Sequence, residues 1–293
     1  MRLGSALAVI ALASLIFLRP VLPLAEGARL VTAFTWQNPP RGVGGLSAIT
    51  IGEMGRTAVV LVDRGSILSL RLERDGDVIT DAVVTAETAL FSGTRPSKVG
   101  YDSEGIAIGA DGAIYVSYEQ DQRIQRYDQT TGAQTAVPTP RAFEAFGANT
   151  GLEALAIDRK GHLYTLPERP RSLRQGFPVW HWDGAAWSRP YHLRPRNGFL
   201  VVAADFGPDG RLYLLERRLT FLGFQSRLRR WEADAESATD EAILLTTRAG
   251  EFGNLEGLSL WRDKDNRMRA TMVSDNNFLP VMRTQIVEFV LTE

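Results

Sequence analysis

The chain has 293 residues, 44% hydrophobic and 23% charged, the balance of a globular protein with a substantial core. Its 33 basic and 34 acidic residues leave a net charge of −1, which gives no global field to hold nucleic acid or an anionic membrane surface. Cysteine is absent, which excludes disulfides, thiolate metal sites, a cysteine nucleophile and a lipidated-cysteine anchor.

Arg2, an apolar run from Leu3 to Leu18, then Arg19, Pro20 and small residues near Ala25 read as an export signal over residues 1–25. The run is shorter than the roughly 20 residues needed to span a bilayer. Cleavage near Ala25 is the first expectation and an uncleaved N-terminal anchor the second. Either one places a single domain, residues 29–293, in the periplasm or outside the cell.

The segment ARLVTAFTW, from Ala28, reads as a strand, and Pro39 to Gly42 as a loop. The runs GLSAITI, TAVVLVD, ILSLRLE and DVITDAVVT follow between Gly45 and Thr85, alternating as half-buried strands do and separated by Gly and Asp-Gly turns. The outline then repeats as DSEGIAIGADGAIYVSYE from Asp102 and NTGLEALAIDRKGHLYTLPE from Asn149, which places Glu104 and Glu153 49 residues apart. VVAADFGPDGRLYLLER, ending at Arg217, is a weaker copy, and NLEGLSLWRDKDNRMRATMVSDNN, with Glu256 and Asp275, is the last. RAFEAFG, from Arg141, is the one short helical turn expected, and RPRSLRQGFP, from Arg169, a non-repeating loop.

Strand-and-turn repeats of about 40 to 50 residues predict a β-propeller rather than a sandwich or solenoid. Five blades are read, with six as the alternative count. The last shows only three strands, so the strand around Leu30 to Phe34 is expected to supply its outer strand and close the ring.

If the first strand of each blade descends along the channel and the second returns, the start of one and the end of the other meet at one mouth. This gathers Glu104 with Glu119, Glu153 with Glu168, and Glu256 with Asp275, with Asp63 and Glu216 ending the remaining second strands. Asp205 aligns with Ala107, deeper in its strand. Converging carboxylates require compensation. Arg64, Arg169, Arg217 and Arg283 lie nearby in sequence, as do Asn149, Asn254, Asn276 and Asn277. Such an all-oxygen set suits Ca²⁺ better than Zn²⁺. The expected metal ligands are Glu104, Glu153, Glu256, Asp275 and Asn254, and the expected catalytic residues Glu153, Glu168, Arg169 and Arg217. His162, His181 and His192 are scattered, and no Gly-x-Ser-x-Gly occurs, so neither a histidine metal site nor a serine nucleophile is expected.

GGLSAI, DSEGIAI, NTGLEALAI, LYLLER, NLEGLSL with SDNNF, and RTQIVEF, in this order, resemble the phytase-like family of exported bacterial propellers, named for an esterase-like activity of phytase. The resemblance runs from about Gly44 to Phe289. It implies a periplasmic or secreted hydrolase of phosphate or carboxylic esters, with Ca²⁺ by analogy to true propeller phytases, although their long acidic runs and Lys-rich phosphate platform are missing here. The chain also looks similar to sugar-lactone hydrolase propellers, which set a Glu, an Asn and an Asp around one divalent ion; Glu104, Asn149 or Asn254, and Asp275 match by residue type. Two functions follow as expectations: a metal-assisted hydrolase acting on a small ester or phosphoester, and a non-catalytic propeller binding a ligand or partner. A monomer with no nucleic-acid partner is expected in both.

Overall fold

A computed structural model describes residues 27–37, 39, 40, 43–91, 102–147, 151–279 and 281–292. Residues 1–25, read above as an export signal, and Asn149 lie outside the described residues. Among the described residues, twenty strands build five four-stranded antiparallel sheets. Blade one is β2 (Leu46–Gly52), β3 (Thr57–Val62), β4 (Ser66–Asp75) and β5 (Val78–Ala89). Blade two is β6 (Ser103–Ile108), β7 (Ile114–Tyr118), β8 (Arg123–Tyr127) and β9 (Gln134–Val137). Blade three is β10 (Leu152–Ile157), β11 (Leu163–Pro167), β12 (Phe177–Trp182) and β13 (Trp187–Leu193). Blade four is β14 (Leu200–Phe206), β15 (Leu212–Thr220), β16 (Gly223–Ala233) and β17 (Ala238–Thr246).

Blade five joins β18 (Asn254–Arg262), β19 (Met268–Asp275) and β20 (Gln285–Leu291) to β1 (Ala28–Thr35). β1 pairs antiparallel with β20 from Ala28 opposite Leu291 to Thr35 opposite Gln285. The fold is therefore a five-bladed propeller whose ring is closed by the N-terminal strand. Among the described residues no helix is long and apolar enough to cross a membrane.

The core lies between blades, because each sheet has two faces to bury against its neighbours. One apolar cluster fills each of the five junctions, including the one between blades five and one, where Trp261, Val273 and Ile286 meet Leu46, Ile49 and Val60. Inner strands are largely buried on both faces, as in β18, whereas the outer β5 and β9 are largely exposed. The turns after the first strands repeat one device: the carboxylates of Asp158, Asp209 and Asp263 accept backbone N–H groups two or four residues onward. The Arg141–Ala145 segment is a short 3-10 helix whose Phe143 ring meets Trp180 edge-on at 5.1 Å.

Candidate functional site at the channel mouth

Each first strand carries a β-bulge at the same height. The register slips between Leu46 and Ala48, Ser103 and Ile106, Leu152 and Ala154, Val201 and Ala203, and Leu255 and Gly257. A bulge leaves one residue without a partner and re-aims its side chain. The residues within these slips are Ser47, Glu104 with Gly105, Glu153, Val202 and Glu256. Just beyond each slip, the second strand carries Asp63, Glu119, Glu168, Arg217 and Asp275 in turn, at or next to its end except in blade four, where the strand continues past Arg217 to Thr220. Gly105 is required here by close approach: a Cβ would come within 2.8 Å of the Leu155 Cβ and 2.9 Å of the Glu153 carbonyl oxygen.

The two series converge on a cavity of about 240 Å³ lined by Asp63, Asp102, Glu104, Glu119, Glu153, Glu168, Arg217, Glu256, Asp275 and Asn277. Eight carboxylates thus face one guanidinium. Arg217 donates to the Asn254 Oδ1 at 2.7 Å and to Glu256, and reaches Glu168 at 3.5 Å. The Asn254 Nδ2 donates to Glu256 at 2.7 Å. This side of the mouth, built by blades three to five, is braced by the Arg217 guanidinium.

The opposite side is not. Asp102, Glu104 and Glu119 present oxygens that all lie within 4.8 Å of one another, and Glu119 also accepts the Gly151 N–H at 3.3 Å. Burial, reinforced by the Glu153, Glu119, Asp102 and Asp63 carboxylates, pushes Glu104 well above the ordinary carboxylate range. Burial raises Glu119 to about 7 against the Gly151 hydrogen bond. It also raises Glu153, which hydrogen-bonds Glu119, against the pull of Arg217. Burial raises Asp275 as well.

Glu104, Glu153, Glu168, Glu256, Asp275 and Arg217 accordingly share the mouth. Asn254 adjoins it but turns toward Arg217 and Glu256. Arg169 is exposed and pairs with Glu168 at 3.1 Å from outside the lining. Glu216 departs from expectation: it is fully buried between Arg227 and Arg229 on β16, and Arg217, one residue later, occupies the mouth position. Arg64 stacks on Phe278, 3.3 Å from the ring centroid, and is not among the residues that line the cavity. Asp205 accepts the Leu260 N–H at 2.6 Å, joining blades four and five. Asp102 was not singled out in sequence as a ligand, although its position two residues before Glu104 was the available signal.

A family model described as phytase-like, esterase-like activity of phytase, matches residues 41–278, and the chain belongs to that family. No curated protein matches it. Among solved structures it is similar to a gluconolactonase from Xanthomonas campestris, at 14% identity and a TM-score of 0.48, covering 94% of this chain and 99% of that one. It is similar to virginiamycin B lyase from Staphylococcus aureus at 11% identity and a TM-score of 0.47, covering 90% and 100%. A PQQ-bound aldose sugar dehydrogenase from Streptomyces coelicolor gives 13% identity, a TM-score of 0.48, and coverage of 92% and 100%.

Proposed function

We propose that this member of the phytase-like family is an exported hydrolase of carboxylic or phosphate esters that works at the acidic mouth with a bound divalent cation, Ca²⁺ being the ion its donors suit. The observation that carries this reading is the grouping of Asp102, Glu104 and Glu119 oxygens within 4.8 Å, on a side of the mouth where, among the described residues, no guanidinium lines the cavity. Three hard anionic oxygens in such a space match a hard cation, and their mutual repulsion is what a cation relieves. When bound, the ion would supply Lewis-acid polarisation of the ester oxygen and activation of water.

The chain's own residues supply the rest. Glu153, hydrogen-bonded to Glu119 beside the proposed ligands, is placed to exchange a proton with the reacting groups. Glu168, Asn254 and Glu256 hold Arg217 at the cavity wall, where its positive charge faces any negative charge that develops on the substrate. Export is supported by the charged, apolar and small-residue succession of residues 2–25.

A second reading, a non-catalytic binding propeller, is favoured by the same Arg217 contacts, which tie blades three, four and five together without needing any chemistry. Thermal unfolding after EDTA treatment, with and without Ca²⁺, together with turnover of 4-nitrophenyl acetate and 4-nitrophenyl phosphate, separates the two. A Ca²⁺-dependent rise in melting temperature and EDTA-sensitive turnover, both lost in Asp102→Asn, are expected for the hydrolase. Neither effect in the wild-type protein would overturn it in favour of the binding reading.

A further inference from the structure

Two motifs carry more than the mouth requires: the Gly44–Gly45 pair that enters β2, and the Asn276–Asn277–Phe278 turn that leaves β19. Asn277 lines the mouth, while its neighbours Asn276 and Phe278 line a second, more open cavity of about 410 Å³. Trp36, Val43, Leu279 and Met282 supply its apolar surface, and Thr35, Gln37, Arg283 and Thr284 its polar edge. The volume lies in the range of small-molecule sites.

Gly44 and Gly45 pack against residues that line both cavities. A Cβ on Gly45, whose φ is +62°, would collide with both the Asp63 carboxylate, which lines the mouth, and the Phe278 ring, which lines the second cavity. A Cβ on Gly44 would come within 2.8 Å of the Asn276 Oδ1. Asn277 and Phe278 both hold positive φ, 48° and 52°, a conformation that costs a bulky residue energy and persists only where its surroundings enforce it. Here they do. The Asn276 Oδ1 accepts the Gly45 N–H at 3.1 Å and the Phe278 N–H at 3.0 Å, its Nδ2 donates to the Thr284 Oγ1 at 3.0 Å, and Asp275 accepts the Asn277 N–H at 2.6 Å. Arg64 lies over the ring and fixes its plane. The strained turn therefore sends alternate side chains into alternate cavities and presents an aromatic wall immediately beside the carboxylates.

We propose that this second cavity is a substrate subsite that takes an aromatic or cyclic apolar group of the ester, while the ester's polar centre lies among the mouth carboxylates. Trp36 and Phe278 offer flat apolar surfaces, and Met282 a side chain that adapts to ring shape. The inference rests on the mouth being the reaction centre, and the test separates the two.

Calorimetric titration in the presence of Ca²⁺ would compare acetanilide with N-methylacetamide, and phenylphosphonate with methylphosphonate, so that each pair differs by the ring and neither is an ester. In at least one pair the ring compound should bind about tenfold more tightly. That advantage should persist in Glu153→Gln, which alters only the mouth, and vanish in Met282→Trp, which fills the groove. Phe278→Gly should also remove it, and because glycine adopts the positive φ without strain this variant keeps its fold, as its melting temperature would register. No ring advantage in the wild-type protein, or one that survives both groove variants, overturns the subsite. Turnover of phenyl and methyl acetates, and of phenyl and methyl phosphates, reports separately: turnover without ring preference retains the hydrolase and sinks the subsite, whereas ring-selective binding without turnover does the reverse.

Discussion

Glu104 and Glu216 are both carboxylates near the top of an inner or second strand, and they lie in opposite electrostatic surroundings. Glu216 accepts from Arg227 at 2.7 Å and from Arg229 at 2.6 Å, all three fully buried, and Arg229 also reaches Glu241 at 2.8 Å. Glu104 faces Asp102, Glu119, Glu153 and Asp63, whose charges add to the cost of its own burial. In the first place the fold spends cations to bury a charge that then holds two strands together. In the second, eight carboxylates share one cavity with a single guanidinium, so among the described lining residues the anions outnumber the cations and repel one another.

Neutralising each carboxylate should break the comparison or sharpen it. The largest effect is expected from Glu216→Gln, which leaves two buried guanidinium groups undercompensated: a loss of about 3–5 kcal/mol in urea unfolding. The paired cluster of blade five should respond to acid. Asp263 is held down to about 2, its burial outweighed by hydrogen bonds from Arg267 and Arg269 and by their charges. Because its folded pKa lies below the unfolded value near 3.8, its contribution is complete above that value and is lost as pH falls through about 2. After allowance for solvent screening this amounts to roughly 1–2 kcal/mol. Urea titrations between pH 5 and pH 2 should show that slope in the wild-type protein and a reduced one in Asp263→Asn.

At the mouth the sign reverses. Without divalent ions, Glu104→Gln should raise stability by on the order of 1 kcal/mol, because it removes one member of a repelling set. The same variant should lose most of the Ca²⁺-induced rise in melting temperature, so a calorimetric scan with and without the ion checks both signs at once. The smallest effect belongs to an exposed pair, Arg71 with Glu73, whose side chains are 56% and 44% accessible. Arg71→Ala should change stability by no more than about 0.5 kcal/mol, and a larger loss would undermine the distinction between paired charges that hold the fold and those that merely decorate it.

Much of this organisation is legible along the chain. The blade boundaries follow from Gly and Asp-Gly turns at a steady interval, and Glu104, Glu153 and Glu256 stand out because they occupy matching places in SEGIAI, LEALAI and LEGLSL. Blade four is the place where the reading slips. Counting along its second strand suggests Glu216 for the mouth, yet Glu216 sits opposite Val201 in the ladder, and the residue that matches Glu119 and Glu168 of the other blades is Arg217, opposite Leu200. Side chains alternate across a strand, so a difference of one residue exchanges the channel for the blade interior. Asp102 escaped notice for a related reason, since its place beside Glu104 and Glu119 depends on how the chain enters β6 and not on the repeat.

What the sequence by itself determined was the all-β repeat and closure by the N-terminal strand, with five blades read and six left open, a count the five sheets decide. These depend on local periodicity, on turn residues and on a count of strands that leaves the last blade one short. What only the tertiary structure decided was the division of the charges. Bulges at one height in five blades turn selected side chains toward the channel, and the ring then brings together residues from Asp63 to Asn277. Repulsion and compensation depend on distances of a few ångströms across that ring, and a linear spacing of about fifty residues carries no record of them.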